Sequence, residues 1–77
     1  MNILIAQDQK GHVLSVHRTV DGAAHFIMAH GRSPSIKDQE SYSIKTLNDA
    51  LMAAARAEIT FADGTPPIRL EVHGLYV

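Results

Sequence analysis

The chain predicts an α+β domain: a small, mainly antiparallel sheet of three to five strands, packed on one face by a single helix, in the order β-β-β-(β)-α-β. Three observations predict it. From Thr46 to Ala62, TLNDALMAAARAEITFA, apolar residues recur at helical spacing. Asp21-Gly22 stands between two apolar-polar stretches, a two-residue hairpin signal. After Pro66-Pro67, Ile68, Leu70, Val72 and Tyr76 alternate with Arg69, Glu71 and His73, as a half-buried strand requires.

Asn2 to Ala6 reads as the first strand, ended by the polar turn Asp8-Gln9-Lys10-Gly11. His12 to Val20 is the second, and Ala23 to His30 returns from the Asp21-Gly22 turn as the third. That turn sets a register in which Val20 faces Ala23, Arg18 faces His25, Val16 faces Ile27 and Leu14 faces Ala29. The other side of the ribbon pairs His17 with Phe26, Ser15 with Met28 and Val13 with His30. With a three-residue first turn, Leu4 and Ala6 join Leu14, Val16, Ile27 and Ala29 as the bed for the helix; a one-residue shift exchanges the contribution of strand one.

Gly31 to Glu40 is polar and holds a proline, so it reads as a surface loop open to a recognition role. Ser41 to Lys45 is either a short strand or the approach to the helix. Thr46 is the expected N-cap, with Asp49 adding negative charge in the first turn. Leu47, Ala50, Leu51, Ala54, Ala55, Ile59 and Ala62 share one face, and Asp63-Gly64 stops the helix. The β-type triplet Ile59-Thr60-Phe61 offers a competing end near Ala57, and Glu58 projects onto the apolar face, where its charge needs a partner. In the last strand Leu75 and Val77 bring apolar character to the Arg69 side.

Seventy-seven residues make one domain, 1–77, with a limited core. The chain has no cysteine, which excludes disulfides and thiolate chemistry. Seven basic and eight acidic side chains give a net charge of -1, so phosphate backbones feel no general attraction. The opening MNILIAQDQ lacks a basic leader, and no apolar run reaches the roughly 20 residues that span a bilayer, so a cytoplasmic protein is expected.

Five histidines invite a metal or acid-base role, but they form no HExxH pattern and stand beside no carboxylate cluster. The serines lack a GxSxG turn. Neither metal nor cofactor is expected, nor an enzyme. A nucleic-acid surface would draw on Arg18, His25, Arg32 and Lys37, but the register sets Phe26 on the opposite face from Arg18, which breaks up a stacking platform.

The functional expectation comes from apolar residues in excess of what one helix covers. Ile3, Ile5, Phe26 and Met28, with His17 and His30 supplying directional contacts, form the expected protein-binding patch on the second sheet face. The expected activity is noncatalytic binding of a protein partner, or self-association through the same face. In size and element order alone, the chain resembles small accessory proteins and inhibitors, phage proteins among them, that occupy a partner's surface.

Overall fold

The computed structural model describes residues 2–74. In chain order it contains β1 (Asn2–Gln7), β2 (Val13–His17), α1 (Val20–His30), β3 (Pro34–Ile36), α2 (Ile44–Ala54), β4 (Arg56–Phe61) and β5 (Ile68–Gly74). The strands form one five-stranded sheet in the order β2-β1-β5-β4-β3. Every neighbouring pair is antiparallel. The α+β class and the one-sided helical cover are as expected; the cover consists of two helices.

The largest correction concerns residues 20–30, which form a helix and not the returning strand of a hairpin. Thr19 caps it, its hydroxyl accepting the Gly22 N–H at 3.0 Å, and Asp21 places negative charge in the first turn. Asp21-Gly22 therefore lies inside the helix start. Ala23, Ala24 and Ile27 are buried on one stripe with Val20 packed beside them. The expected pairings between 13–20 and 23–30 are accordingly absent, and β2 pairs with β1 alone.

The second helix is also displaced. Its N-cap is Ser43, not Thr46. Thr46 lies at the third helical position and closes a capping box, accepting the Ser43 N–H at 2.9 Å while its own N–H donates to Ser43 Oγ at 3.1 Å. Residues 41–45 are thus the approach to the helix and its first turn. The helix stops at Ala55, which adopts φ 58° and sends its N–H to the Leu51 carbonyl at 2.8 Å. The left-handed residue turns the chain sharply, and Arg56–Phe61 runs on as a strand. Glu58 therefore sits on an exposed strand position, 3.7 Å from Lys37 Nζ. The expected loop 31–40 contains the short edge strand β3.

One core lies between helices and sheet. Leu4 and Ala6 from β1, Ile36 from β3, Ala57 and Ile59 from β4, and Ile68 and Leu70 from β5 meet Ala23, Ala24 and Ile27 of α1 and Leu47 and Leu51 of α2. Burying each of the larger side chains contributes about 1.5–3 kcal/mol. Alternation then sends Ile3, Ile5, Gln7, Arg56, Glu58, Arg69 and Glu71 to the opposite face. The expected positions Leu75, Tyr76 and Val77 lie outside the described residues.

Candidate functional site

The expected patch separates onto two sides of the molecule. Ile3 and Ile5 lie on the face that neither helix covers. His17 stands opposite Leu4 in the β1–β2 register and so belongs to the helix side. There it meets Phe26 at 5.5 Å between ring centroids; Phe26 meets His30 at 5.5 Å, and His30 meets Phe61 at 5.6 Å. The tilted rings form a chain from edge strand β2 along α1 to β4, at distances normal for aromatic pairs. Ser15 Oγ lies 2.7 Å from His17 Nε2 and holds the first ring. Phe26 packs against the core, whereas Met28 projects from α1 with 58% of its surface exposed.

The open sheet face has two halves. On one, Ile5 lies between Val16 of β2 and Glu71 of β5, and Ile3 pairs with His73. Val13 pairs with Gln7 across a bulge that leaves Leu14 as the extra residue of β2. Val13 and Val16 are 59% and 54% exposed, so this half is apolar and uncovered. Sequence reasoning assigned Val16 to the helix bed because the first-hairpin register was shifted by one residue, and such a shift exchanges faces.

The other half is polar and pairs largely within itself. Gln7 Nε2 donates to Glu71 Oε1 at 3.0 Å, and Arg69 Nη2 donates to Gln7 Oε1 at 3.5 Å. Arg69 Nε approaches Glu71 Oε1 to 3.2 Å, but its N–H is not aimed at that oxygen. This shielded atom therefore gains charge attraction without a well-directed hydrogen bond. His73 Nε2 stands 3.8 Å from the other Glu71 oxygen. Register places Arg56 beside Glu71 and Glu58 beside Arg69, extending the mixed-charge lattice onto β4.

A cleft of about 310 Å³ opens where Gln9, Glu58, Thr60, Pro67, Ile68 and Arg69 meet. Another, of about 260 Å³, lies between α2 and β4 against Ala50, Ala53 and Ala54, with Lys37, Arg56 and Glu58 at its rim. Among the described residues no three histidine, aspartate or glutamate side chains group as metal ligands would. No helix there is long and apolar enough to cross a membrane.

Comparison with protein-family models, curated proteins and solved structures gives no match in any of the three. The functional reading therefore rests on this chain's own surface.

Proposed function

We propose that this chain is a noncatalytic protein-binding domain, of the kind that acts as a small accessory or inhibitory protein. Its partner lies against the β1–β2 half of the open sheet face. The supporting observation is Val13 and Val16 standing exposed beside Ile3 and Ile5 on a face that neither helix covers among the described residues. Apolar side chains at the centre of a patch drive association when water leaves them, and a polar rim sets orientation. Gln7, Arg69, Glu71 and His73 form that rim, already oriented by their mutual contacts.

Charge favours a protein over a nucleic acid. Arg69 is engaged by Glu71, and Lys37 by Glu58, so two cations near this face are neutralised locally. A phosphate backbone requires a run of unneutralised cations.

The test compares immobilised wild-type chain with an Ile3→Glu/Val13→Glu variant whose circular dichroism matches it. Extract from the native host should yield a partner that binds the wild type and is lost, at least tenfold, from the variant. Equal recovery on both would refute the open-face site.

A further inference from the structure

The two free edges of the sheet are built differently. At one end, β3 is three residues long and begins with Pro34, which has no N–H to offer a further strand. At the other, β2 reads Val13-Leu14-Ser15-Val16-His17, with no proline and no Lys, Arg, Asp or Glu. Among the described residues nothing pairs with its outer side. Proteins blunt such edges with lysine, proline, bulges or shortness; β2 has no lysine or proline, and its bulge lies toward one end. Its bulge disrupts the ladder at Leu14 and leaves Ser15, Val16 and His17 as the regular stretch.

We infer that a second copy of this chain pairs antiparallel with β2, about a two-fold axis through Val16 and perpendicular to the sheet. The two five-stranded sheets then join into one of ten strands, with both helical layers on the same side. This inference goes beyond the open-face reading, since the copies join through the backbone edge of β2, with Val16 and Ile5 common to both.

The register follows from which residues share a side. Residues directly opposite each other in a pair must face the same way. An axis at Ser15 would set Val13 against His17, yet Val13 lies over Gln7 on the open face and His17 over Leu4 on the helix face. An axis at His17 would set Ser15 against Thr19, whose hydroxyl is already engaged in capping α1. With the axis at Val16, Val16 meets its own counterpart on the open face, and Ile5 of each copy extends the contact into a continuous apolar row. On the helix side Ser15 meets His17 of the other copy, repeating a hydroxyl–imidazole pairing already made within the chain at 2.7 Å. Within Ser15 to His17 no like charges are opposed, since the stretch holds no Lys, Arg, Asp or Glu. The regular stretch of β2 is thus complementary to a second copy of itself.

The paired stretch is short, so the interface is at the small end of specific contacts and the dimer is concentration-dependent. Sedimentation equilibrium of the full chain from tens to hundreds of micromolar should show the mass rising from one chain toward two. Val16→Lys and Val16→Glu each place like charges at the axis and should remain monomeric, with unchanged circular dichroism. Mixed in equal amounts they should associate again, because residue 16 of one copy lies opposite residue 16 of the other. Amide exchange at Ser15 to His17 in the wild type should slow with concentration, which keeps the test decisive if a variant fails to fold. Wild type that stays monomeric with concentration-independent exchange, or a Lys–Glu mixture that does not associate, overturns the inference. Monomeric wild type that still loses its partner with Ile3→Glu/Val13→Glu would retain the open-face reading alone. Dimerisation that survives while that capture test fails would do the reverse.

Discussion

Gly31 lies directly beneath the ring of Phe61: a methyl group added at its Cα would stand 2.6 Å from Phe61 Cδ1 and 3.0 Å from Thr65 Oγ1. Its backbone is extended at φ -157°, so glycine is required here for close approach and not for an unusual dihedral. The contact locks the end of α1 against β4, beside the His30–Phe61 pair that ends the ring chain. Gly31→Ala must displace the ring, and overpacking of that kind costs about 1–3 kcal/mol. Urea denaturation should show a lower midpoint with an unchanged slope.

Ser43 and Thr46 bond each other reciprocally, which satisfies amide groups at the α2 start that have no partner in the helix. Ser43→Ala should cost about 1 kcal/mol, equivalent to a fall in Tm of roughly 4–8 °C for a domain of this size. Thr46→Val should also destabilise, because it removes acceptance of the Ser43 N–H. The double variant should lose less than the sum of the two, since both act in one box.

Those two elements also show how far the sequence could be read. Strand β5, the inner positions Leu47 and Leu51, and the one-sided helical cover follow from periodicity alone, while the inward side of Leu4 and Ala6 also hung on the length of the first turn. Helix α1 was legible in principle: Val20, Ala23, Ala24 and Ile27 recur at helical spacing behind a threonine cap. Asp-Gly outweighed that signal, although Asp21 suits a helix first turn as well as a hairpin. The end of α2 was less accessible. Ala54 and Ala55 are identical in type, and only the sheet's demand for Arg56–Phe61 as a strand puts one of them in a left-handed conformation. For the surface, Ile3 and Ile5 were found by alternation, while Val16 depended on a bulge that no local residue announces.

Tyr42 links the connection before α2 to α1, its hydroxyl donating to the Ala24 carbonyl at 2.9 Å. Burial raises its pKa above the ordinary 10.0, because the phenolate would lose water. A raised folded value means that the stabilisation is complete below the unfolded pKa and is lost as pH climbs through the folded one. Tyr42→Phe should cost about 0.5–1.5 kcal/mol at neutral pH and should flatten the alkaline fall in Tm.

Acid acts through different groups. The Thr65 hydroxyl and N–H, with the Arg32 N–H, hold the Asp63 carboxyl below its ordinary 3.8, and the N–H groups of His12 and Lys10 do the same for Asp8. Both values are depressed, so this contribution is present above pH 3.8 and is lost as pH falls through the lower folded values. Asp63→Asn should therefore narrow the difference in Tm between neutral and acidic solution, measured by thermal melts across that range.

Ala55 yields the sharpest test of the fold, because a single substitution type should change sign between adjacent alanines. Ala54 is the last residue of α2, whereas Ala55 holds φ 58° and passes its carbonyl to the Val72 N–H at 2.8 Å. A left-handed residue carrying a Cβ costs roughly 1–2 kcal/mol, and glycine avoids it at an entropic cost of about 0.4–1 kcal/mol. Ala55→Gly should therefore stabilise the chain by up to about 1 kcal/mol. Ala54→Gly should destabilise it by up to about 1 kcal/mol, the usual helix penalty reduced by its position at the end. Chemical denaturation of both variants decides the matter: two destabilised proteins would mean that the helix runs past Ala55 toward Ala62, as its apolar spacing alone predicts.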